Sequence, residues 1–259
     1  MNADGHRGAR VSFIDQIQKA SQRNRSKIVL ALDVENQDRT KLAEQSKKIL
    51  EDVRDYVCAL KLNRQLVLAL GLQSGVDSII KLAHDFSLPA IMDAKLNDVG
   101  HTNEFMMRAY LDAGFDAVIA SPAAGWEGGL EPVFNVATSR GKGVILLVYM
   151  SNPGAEAFYS LMASRENGQS RRIFEMFTEM AIERKADGAI VGATKPAIIS
   201  RVRELAGPKL AIFSPGVGAQ GGDARESLKA GSDYLIVGRS IYGASDPTKA
   251  ARELRELTS

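Results

Sequence analysis

Four charged residues lie at or near the ends of apolar runs in the first part of the chain. Lys61 falls within YVCALKL, and Asp93, Lys95 and Asp98 fall within DAKLND. Side chains two apart on a strand share a face, so Asp93 and Lys95 are expected to stand side by side. Together with Asp33, which ends KIVLALD, these groups would alternate in sign, because a buried charge is costly unless it is paired. Such a cluster of titratable groups indicates a catalytic site that works through charge.

Ordinary ion pairs between strand ends are the alternative interpretation of this cluster. For one isolated pair that interpretation would be preferred. Buried ion pairs add little net stability, however, and four of these charges, Asp33, Lys61, Asp93 and Lys95, fall on three successive strand ends. The pattern therefore favours a function over a purely structural role.

Two glycine-rich segments near the C-terminus form a second candidate site. SPGVGAQGGD covers residues 214–223, and VGRSIYGA covers residues 237–244. Glycines let backbone N–H groups approach an anion closely, Gln220 can donate an amide hydrogen bond, and Arg239 after Gly238 can offer two donors to a phosphate. The alternative is a flexible glycine loop beside a surface arginine. Because both segments follow adjacent predicted strands, they favour phosphate binding.

Two hydroxyl residues have open assignments on local grounds. Ser151, after the fifth predicted strand, could hydrogen-bond a heterocycle or cap the helix that follows. Thr102, near Asp98, could cap a helix or contact a ligand. We expect Cys58 and Trp126 to serve packing only.

Composition narrows the classes of chemistry. The 259 residues carry 33 Lys and Arg against 31 Asp and Glu, which predicts no nucleic-acid or anionic-membrane surface. A single cysteine excludes an internal disulfide, and only three histidines argue against a zinc site or a His-dependent triad, so no metal is expected. Residues 1–27 lack the apolar stretch of a signal peptide, and no apolar run reaches membrane-spanning length, so we expect a cytoplasmic protein.

The elements that must position these residues are eight short, nearly continuous apolar runs. Such runs are typical of strands that are buried on both faces. They are 27–33, 56–62, 88–95, 116–121, 143–150, 188–193, 209–215 and 233–238. Segments of helical periodicity separate many of them, at 40–53, 101–113, 127–139, 196–206, 223–230 and 247–257. The alternation predicts an α/β fold, a closed (β/α)₈ TIM barrel whose strand ends bring the charges together. An open doubly wound sheet is the alternative, but ALDVENQDR lacks the glycine fingerprint expected after its first strand.

The predicted organisation is one barrel domain, residues 27–259, after an N-terminal extension of residues 1–26. A helix over Val11–Ala20 is expected in that extension, with Phe13, Ile14 and Ile17 closing the bottom of the barrel. The longest interval between strands, 151–187, is predicted to hold two helical pieces and an exposed polar turn, RENGQSRR.

Taken together, five motifs resemble the orotidine 5′-monophosphate decarboxylase family in its compact archaeal form. They are LALDVEN, ALKLNRQLVLALG, DAKLND, SPGVGAQGGD and IVGRSIY, in the family's order. The pattern D-x-K-x-x-D alone recurs more widely, whereas the five motifs together are specific. The resemblance implies a barrel that dimerises with its mouths facing the interface. It also implies conversion of orotidine 5′-monophosphate to UMP and carbon dioxide, the last step of de novo pyrimidine synthesis, with no metal or organic cofactor.

The resemblance further implies a role for each matching residue. Catalysis falls to Lys61, Asp93, Lys95 and Asp98, with Lys95 giving the proton to C6. Asp98 and Thr102 would reach into the partner subunit's site. The positions expected to bind substrate are Asp33 at the ribose, Ser151 at the pyrimidine, Gln220 on a lid with Gly238 and Arg239 at the phosphate, and Pro215 and Gly216.

Two alternatives of different kinds remain at this point. One is a Mg²⁺-dependent 3-keto-L-gulonate 6-phosphate decarboxylase, which shares D-x-K-x-x-D but stabilises an enediolate through the metal. The other is a barrel that binds a phosphorylated ligand without catalysis. The glycine-rich lid and Ser151 favour a nucleotide over the first, and Lys95 beside Asp93 argues against the second.

Overall fold

The computed structural model of the chain describes residues 12–164 and 168–258. Its centre is a closed barrel of eight parallel strands, beside a separate two-stranded antiparallel hairpin. In chain order the strands are β1 (Ile28–Leu32), β2 (Ala59–Asn63), β3 (Ala90–Leu96), β4 (Ala117–Ala120), β5 (Gly143–Tyr149), β6 (Met162–Ser164), β7 (Ser170–Arg172), β8 (Gly188–Val191), β9 (Ala211–Pro215) and β10 (Tyr234–Val237). The hairpin consists of β6 and β7.

The barrel closes where β10 pairs with β1, in register from Ile28 with Leu235 to Leu30 with Val237. Each of the eight predicted apolar runs overlaps one barrel strand, and only β2 and β3 extend past their runs, by one residue each. The strands are buried on both faces because helices cover the outside and side chains fill the inside, which explains their continuous apolarity. The predicted (β/α)₈ barrel is therefore confirmed.

Twelve helices are present in the described part of the chain, several of them very short. They are α1 (Phe13–Asn24), α2 (Arg39–Val53), α3 (Arg64–Leu70), α4 (Asp77–Asp85), α5 (Gly100–Asp112), α6 (Glu131–Arg140), α7 (Ala155–Tyr159), α8 (Ile173–Glu183), α9 (Pro196–Ala206), α10 (Ala224–Lys229), α11 (Arg239–Tyr242) and α12 (Pro247–Thr258). The six predicted helices outside the N-terminal extension and the 151–187 interval correspond to α2, α5, α6, α9, α10 and α12. The helix predicted from Glu127 begins only at Glu131, because Glu127 and Gly128 have non-helical backbone angles.

Helix α1 packs across the bottom of the barrel. Ser12 caps it, since its hydroxyl accepts a hydrogen bond from the Asp15 amide and the Asp15 carboxylate accepts one from the Ser12 amide. Phe13 and Ile17 are fully buried, and Ile14 packs against the core, as predicted. The helix runs to Asn24, past the predicted end at Ala20, and its predicted first residue, Val11, lies outside the described residues.

Two intervals hold more structure than the sequence patterns indicate. Helices α3 and α4 lie between β2 and β3, in a segment where no helix was predicted. Between β5 and β8, the two predicted helical pieces are α7 and α8, and the hairpin lies between them. The last three residues of the predicted polar turn at 165–172 are in fact strand, since β7 covers Ser170–Arg172, and residues 165–167 lie outside the described part.

Within the described residues, no single helix is long and apolar enough to cross a membrane. Two consecutive helical segments, Arg64–Leu70 and Leu72–Asp85, reach the length and apolarity of a membrane span only when they are counted together, and they are bent by 87° relative to each other.

Candidate active site

A cleft of about 220 Å³ opens at the C-terminal ends of the barrel strands. Parallel strands in a closed barrel bring their C-terminal ends to one rim, where residues distant in sequence meet. Of the twelve predicted site residues, ten line this central cleft: Asp33, Lys61, Asp93, Lys95, Ser151, Pro215, Gly216, Gln220, Gly238 and Arg239. The fold therefore joins the charged cluster and the glycine-rich segments in one site.

The charged half of the cleft is centred on Asp93. Lys61, on the adjacent strand, donates a hydrogen bond from Nζ to Asp93 Oδ2 at 2.9 Å. Lys95 donates from Nζ to Asp93 Oδ1 at 2.5 Å. Asp33 Oδ1 lies 3.8 Å from Lys61 Nζ, so the four groups alternate in sign. Charges of opposite sign at these distances keep one another ionised.

The ionisation of this array is decided by a balance between burial and pairing. Burial disfavours the Asp93 carboxylate, but the ammonium groups of Lys61 and Lys95 outweigh it and hold the pKa of Asp93 at about 2. Burial likewise opposes the charge of Lys61, yet attraction from Asp93 and then Asp33 raises the pKa of that ammonium. Asp93 and Lys61 are therefore both charged at neutral pH.

An irregularity in β3 places Lys95 over the cleft. The register between β3 and β4 shifts between Met92 and Leu96, and Lys95 has a φ of +47°. A non-glycine residue in the left-handed region is strained and persists only where its surroundings hold it. Here the hydrogen bond to Asp93 and the buried neighbours Ala94 and Leu96 supply that support.

Asp33 carries an unsatisfied oxygen into the cleft. Its Oδ1 atom is buried and has no hydrogen-bond partner. A buried acceptor without a donor is unfavourable by roughly 1–3 kcal/mol, so such an atom is expected to receive a hydrogen bond from a bound molecule. A ligand hydroxyl would satisfy it.

The opposite half of the cleft has the character of an anion site. Gly216 has a φ of +97°, and a Cβ there would lie 3.0 Å from both Ser151 Cβ and Gln220 Oε1, so this close packing requires glycine. Arg239 is exposed and, within the described residues, forms no ion pair. A guanidinium beside exposed glycine backbone can take an anion through several donors at once.

The position of Ser151 excludes one of its two assignments. Helix α7 begins at Ala155 and has Gly154 at its cap position, with no side-chain capping bond. Ser151 instead lines the cleft, and its carbonyl oxygen accepts a hydrogen bond from Thr194 Oγ1 at 3.1 Å. The capping assignment is therefore wrong, and the hydroxyl lies where a ligand can reach it.

Comparison with known proteins agrees with this geometry. A sequence model of the orotidine 5′-phosphate decarboxylase / HUMPS family matches residues 26–254. The chain belongs to this family. It is 38% identical to the orotidine 5′-phosphate decarboxylase of Methanosarcina acetivorans over 229 residues, which is 88% of this chain and 93% of that protein. It is also 38% identical to the enzyme of the same name from Pyrococcus abyssi, covering 88% of this chain and 96% of that one.

A solved structure of the same family is similar throughout. The orotidine 5′-monophosphate decarboxylase of Methanocaldococcus jannaschii, complexed with the inhibitor BMP, superposes with a TM-score of 0.74 at 33% identity, covering 90% of this chain and 98% of that one. The family and the fold expected from the five motifs are both confirmed.

Two of the residues assigned by family resemblance lie outside the cleft. Asp98 is exposed, and its Oδ1 accepts a hydrogen bond from the Val99 amide at 2.7 Å. Thr102 lies on α5, where its hydroxyl is 3.3 Å from His101 Nε2; Val99, not Thr102, occupies the cap position of that helix. Within a single chain, the network expected to include Asp98 therefore ends at Lys95.

Several cleft residues of this decarboxylase-family chain were not foreseen. Tyr242, on α11, lines the cleft, and burial raises the pKa of its phenol. The apolar members are Ala31, Ile119, Leu147, Met150, Ile190, Val217 and Ile236, and Ala219 lies on the glycine-rich loop. The strand residues among them gave no signal, because outward and inward positions of a doubly covered strand are equally apolar.

Proposed function

We propose that the protein converts orotidine 5′-monophosphate to UMP and carbon dioxide, as a carboxy-lyase at the last step of de novo pyrimidine synthesis. The observation that carries the proposal is the Lys61–Asp93–Lys95 array, facing an unpaired Arg239 across one cleft. The array suits a reaction that builds negative charge on carbon. The arginine and glycines suit the phosphate of a nucleotide. Relatives named orotidine 5′-phosphate decarboxylase are 38% identical to this chain over 88% of its length.

In the proposed complex, the nucleotide spans the cleft. Its phosphate binds at Gln220, Gly238 and Arg239, beside Pro215 and Gly216. A ribose hydroxyl donates a hydrogen bond to the unsatisfied Asp33 oxygen, and the Ser151 hydroxyl forms a hydrogen bond with the pyrimidine. This orientation leaves C6 and its carboxylate at the Asp93–Lys95 pair. Binding energy from the distant phosphate can then position the reacting carbon.

The proposed reaction has two bond changes. The bond from C6 to the carboxylate breaks, carbon dioxide leaves, and the electron pair remains on C6. The Lys95 ammonium, fixed by Asp93, stabilises that pair and then transfers a proton from Nζ to C6, which gives UMP. The resulting amine regains a proton from solvent. Because the pKa of Asp93 is about 2, its carboxylate stays charged and also repels the substrate carboxylate. Each step of this chemistry is carried by protein side chains.

The proposed active form is a homodimer in which Asp98 and Thr102 serve the partner subunit's site. The exposure of Asp98 outside its own cleft supports this arrangement. Two large apolar side chains are exposed close to it in sequence, Val99 and Phe105, and an interface would bury them. The proposal includes a cytoplasmic location, which cell fractionation can check, and no role for nucleic acid or membrane.

The deciding experiment is an ultraviolet absorbance assay with purified protein, orotidine 5′-monophosphate and EDTA. Loss of the substrate band with formation of UMP is the expected result. Activity that EDTA abolishes and Mg²⁺ restores would instead favour the gulonate-type decarboxylase. Binding of UMP with no consumption of orotidine 5′-monophosphate would indicate a barrel that binds nucleotide without catalysis.

A further inference from the structure

The loop after β9 is folded by its own backbone. We call residues 216–222 the lid loop. The Gly218 amide donates to Gly222 O at 2.9 Å, the Gly221 amide to Gly218 O at 2.8 Å, and the Gly222 amide to Gly216 O at 3.0 Å. These bonds close the loop on itself, so they set its internal shape. They do not determine how its tip lies relative to the rest of the cleft.

One hydrogen bond joins the tip of the lid loop to α11, the short helix that follows β10. The Ala219 amide donates to Ser240 Oγ at 3.2 Å. Gly218 permits this approach, because a Cβ there would lie 2.4 Å from Ser240 Oγ, and its φ is +72°. Ser240 is partly buried, whereas residues 218–221 are exposed. The contact therefore joins the exposed part of the lid loop to a partly buried residue of α11.

The chain positions of the two partners give this contact a role. Ala219 directly precedes Gln220, and Ser240 directly follows Arg239. Gln220 and Arg239 both line the central cleft. Holding Ala219 against Ser240 therefore brings together the backbone segments that carry the side chains of Gln220 and Arg239. A single anion can be held by both groups only if that separation is correct.

We propose that Ser240 is a positioning residue that holds the lid loop against the start of α11, in the arrangement in which Gln220 and Arg239 can bind the same phosphate. This inference rests on the proposed nucleotide site and adds a residue that contacts no substrate itself. A preformed site avoids the entropy loss of ordering the loop when the ligand binds. The effect of losing Ser240 should therefore fall on the phosphate and spare the nucleoside.

The first test compares UMP with uridine, which lacks the phosphate, by titration calorimetry. Ser240→Ala should weaken UMP binding about five- to tenfold, the equivalent of one lost hydrogen bond, and leave uridine binding unchanged. Ser78→Ala is the matched control, because Ser78 also makes a hydroxyl-to-backbone bond, to Gly75 O at 2.7 Å, on the outer helix α4. Equal weakening of both ligands would mean general loss of structure and would overturn the proposal.

The second test is a double-mutant cycle on the same contact. Gly218→Ala introduces a Cβ against the Ser240 hydroxyl, so it should weaken UMP binding strongly in the natural chain. In the Ser240→Ala background the clashing oxygen is gone, and the added methyl group should have a smaller effect. Strictly additive effects would show that the two positions act independently, against the proposal.

The third test reads the tie without any ligand. Amide hydrogen exchange of the peptide covering the lid loop should show one protected amide in the natural chain that exchanges faster in Ser240→Ala. If neither exchange nor UMP affinity changes, the positioning role fails. If the protein binds UMP with these dependences but never consumes orotidine 5′-monophosphate, the proposed reaction fails and the role of Ser240 stands.

Discussion

Lys61 Nζ lies 2.9 Å from Asp93 Oδ2, across the step between two adjacent barrel strands. The pairing follows from register, since Asn63 of β2 lies opposite Asp93 of β3 and Lys61 points into the same mouth. With one oxygen held by Lys61, Asp93 offers the other to Lys95. The carboxylate therefore fixes both ammonium groups in place before substrate arrives, which is the preorganisation that electrostatic catalysis requires.

Replacing Lys95 with alanine should nearly abolish turnover. The variant loses the proposed proton donor, worth about 10²–10⁴ in rate, and the charge that stabilises the carbanion. We expect kcat to fall at least about a thousandfold while UMP still binds. The absorbance assay measures the first quantity and calorimetry the second. An equally active variant would disprove the proposed role of Lys95.

Replacing Arg239 with alanine should raise KM for orotidine 5′-monophosphate by about ten- to a hundredfold, as expected for a lost charge-assisted hydrogen bond of roughly 1.5–3 kcal/mol. Uridine binding should not change, because uridine carries no phosphate. Arg225→Ala, a nearby arginine that does not line the cleft, is the control. Unchanged kinetics in Arg239→Ala would place the phosphate elsewhere.

Mixed dimers should test the contribution of Asp98. Asp98→Ala and Lys95→Ala are each expected to be nearly inactive alone. When the two are unfolded and refolded together, a mixed dimer contains one site with Lys95 from one subunit and Asp98 from the other. Random two-fold pairing would restore about a quarter of the sites. Lack of any recovery, with mixed dimers demonstrated by mass spectrometry, would mean that Asp98 acts within its own chain or not at all.

Three aspartates at the bottom of the barrel share one arrangement, and one of them differs in charge pairing. Each lies just before a barrel strand, and its carboxylate accepts a hydrogen bond from a backbone amide of the neighbouring strand that comes earlier in the chain. The donors are Ala90 for Asp116, Val144 for Asp187 and Ile212 for Asp233. Asp116 is also paired with Lys142 at 2.7 Å, and Asp233 with Arg203. Within the described residues Asp187 pairs with no cation, and burial raises its pKa to about 6.

Replacing Asp187 with asparagine should therefore stabilise the fold at neutral pH. The folded state favours the protonated acid, so its contribution to the free energy of unfolding is full below about pH 4 and is lost as pH rises through 6. The amide keeps an acceptor for Val144 and carries no charge. We expect a gain of about 1–2 kcal/mol at pH 7.5, reduced for partial solvent screening, and almost none at pH 4.

Denaturant unfolding at several pH values, at one fixed protein concentration, measures this gain. Asp116→Asn is the matched control, because the same change there leaves Lys142 without its partner and should destabilise the fold. A gain at position 187 that does not depend on pH would contradict the assignment of the effect to ionisation.

The sequence predicts the barrel well because each strand is buried on both faces and therefore reads as an uninterrupted apolar run. Charged residues fall only near the ends of these runs, and those near the C-terminal ends, Asp33, Lys61, Asp93 and Lys95, could be identified as a candidate site. The adjacency of Asp93 and Lys95 was predicted from strand alternation, yet β3 also contains the register shift and the left-handed backbone at Lys95. Neither has a signature in DAKLND.

The elements that were not predicted depend on contacts remote in sequence. Gly71, whose φ is +81°, ends α3, and a π-helical turn over residues 72–76 precedes α4, so neither helix has a long uninterrupted periodic pattern. The contact between Ala219 and Ser240 joins loops that follow different strands, and no local pattern encodes it. Asp98 lies in the connection between the end of β3 at Leu96 and the start of α5 at Gly100, where it is exposed outside its own cleft. No local pattern predicts that position either.

The floor of the barrel bears on how this chain is divided into parts. Similarity to the family begins at residue 26, but Phe13 stacks on Phe213 at 6.4 Å and lies where a Cβ on Gly143 would come within 2.8 Å of its ring. Those two positions of the barrel are shaped around a side chain that precedes the shared region. The hydrophobic core of this protein therefore includes a side chain from outside the region shared with the family, and a cut at the family boundary would remove that side chain from the core.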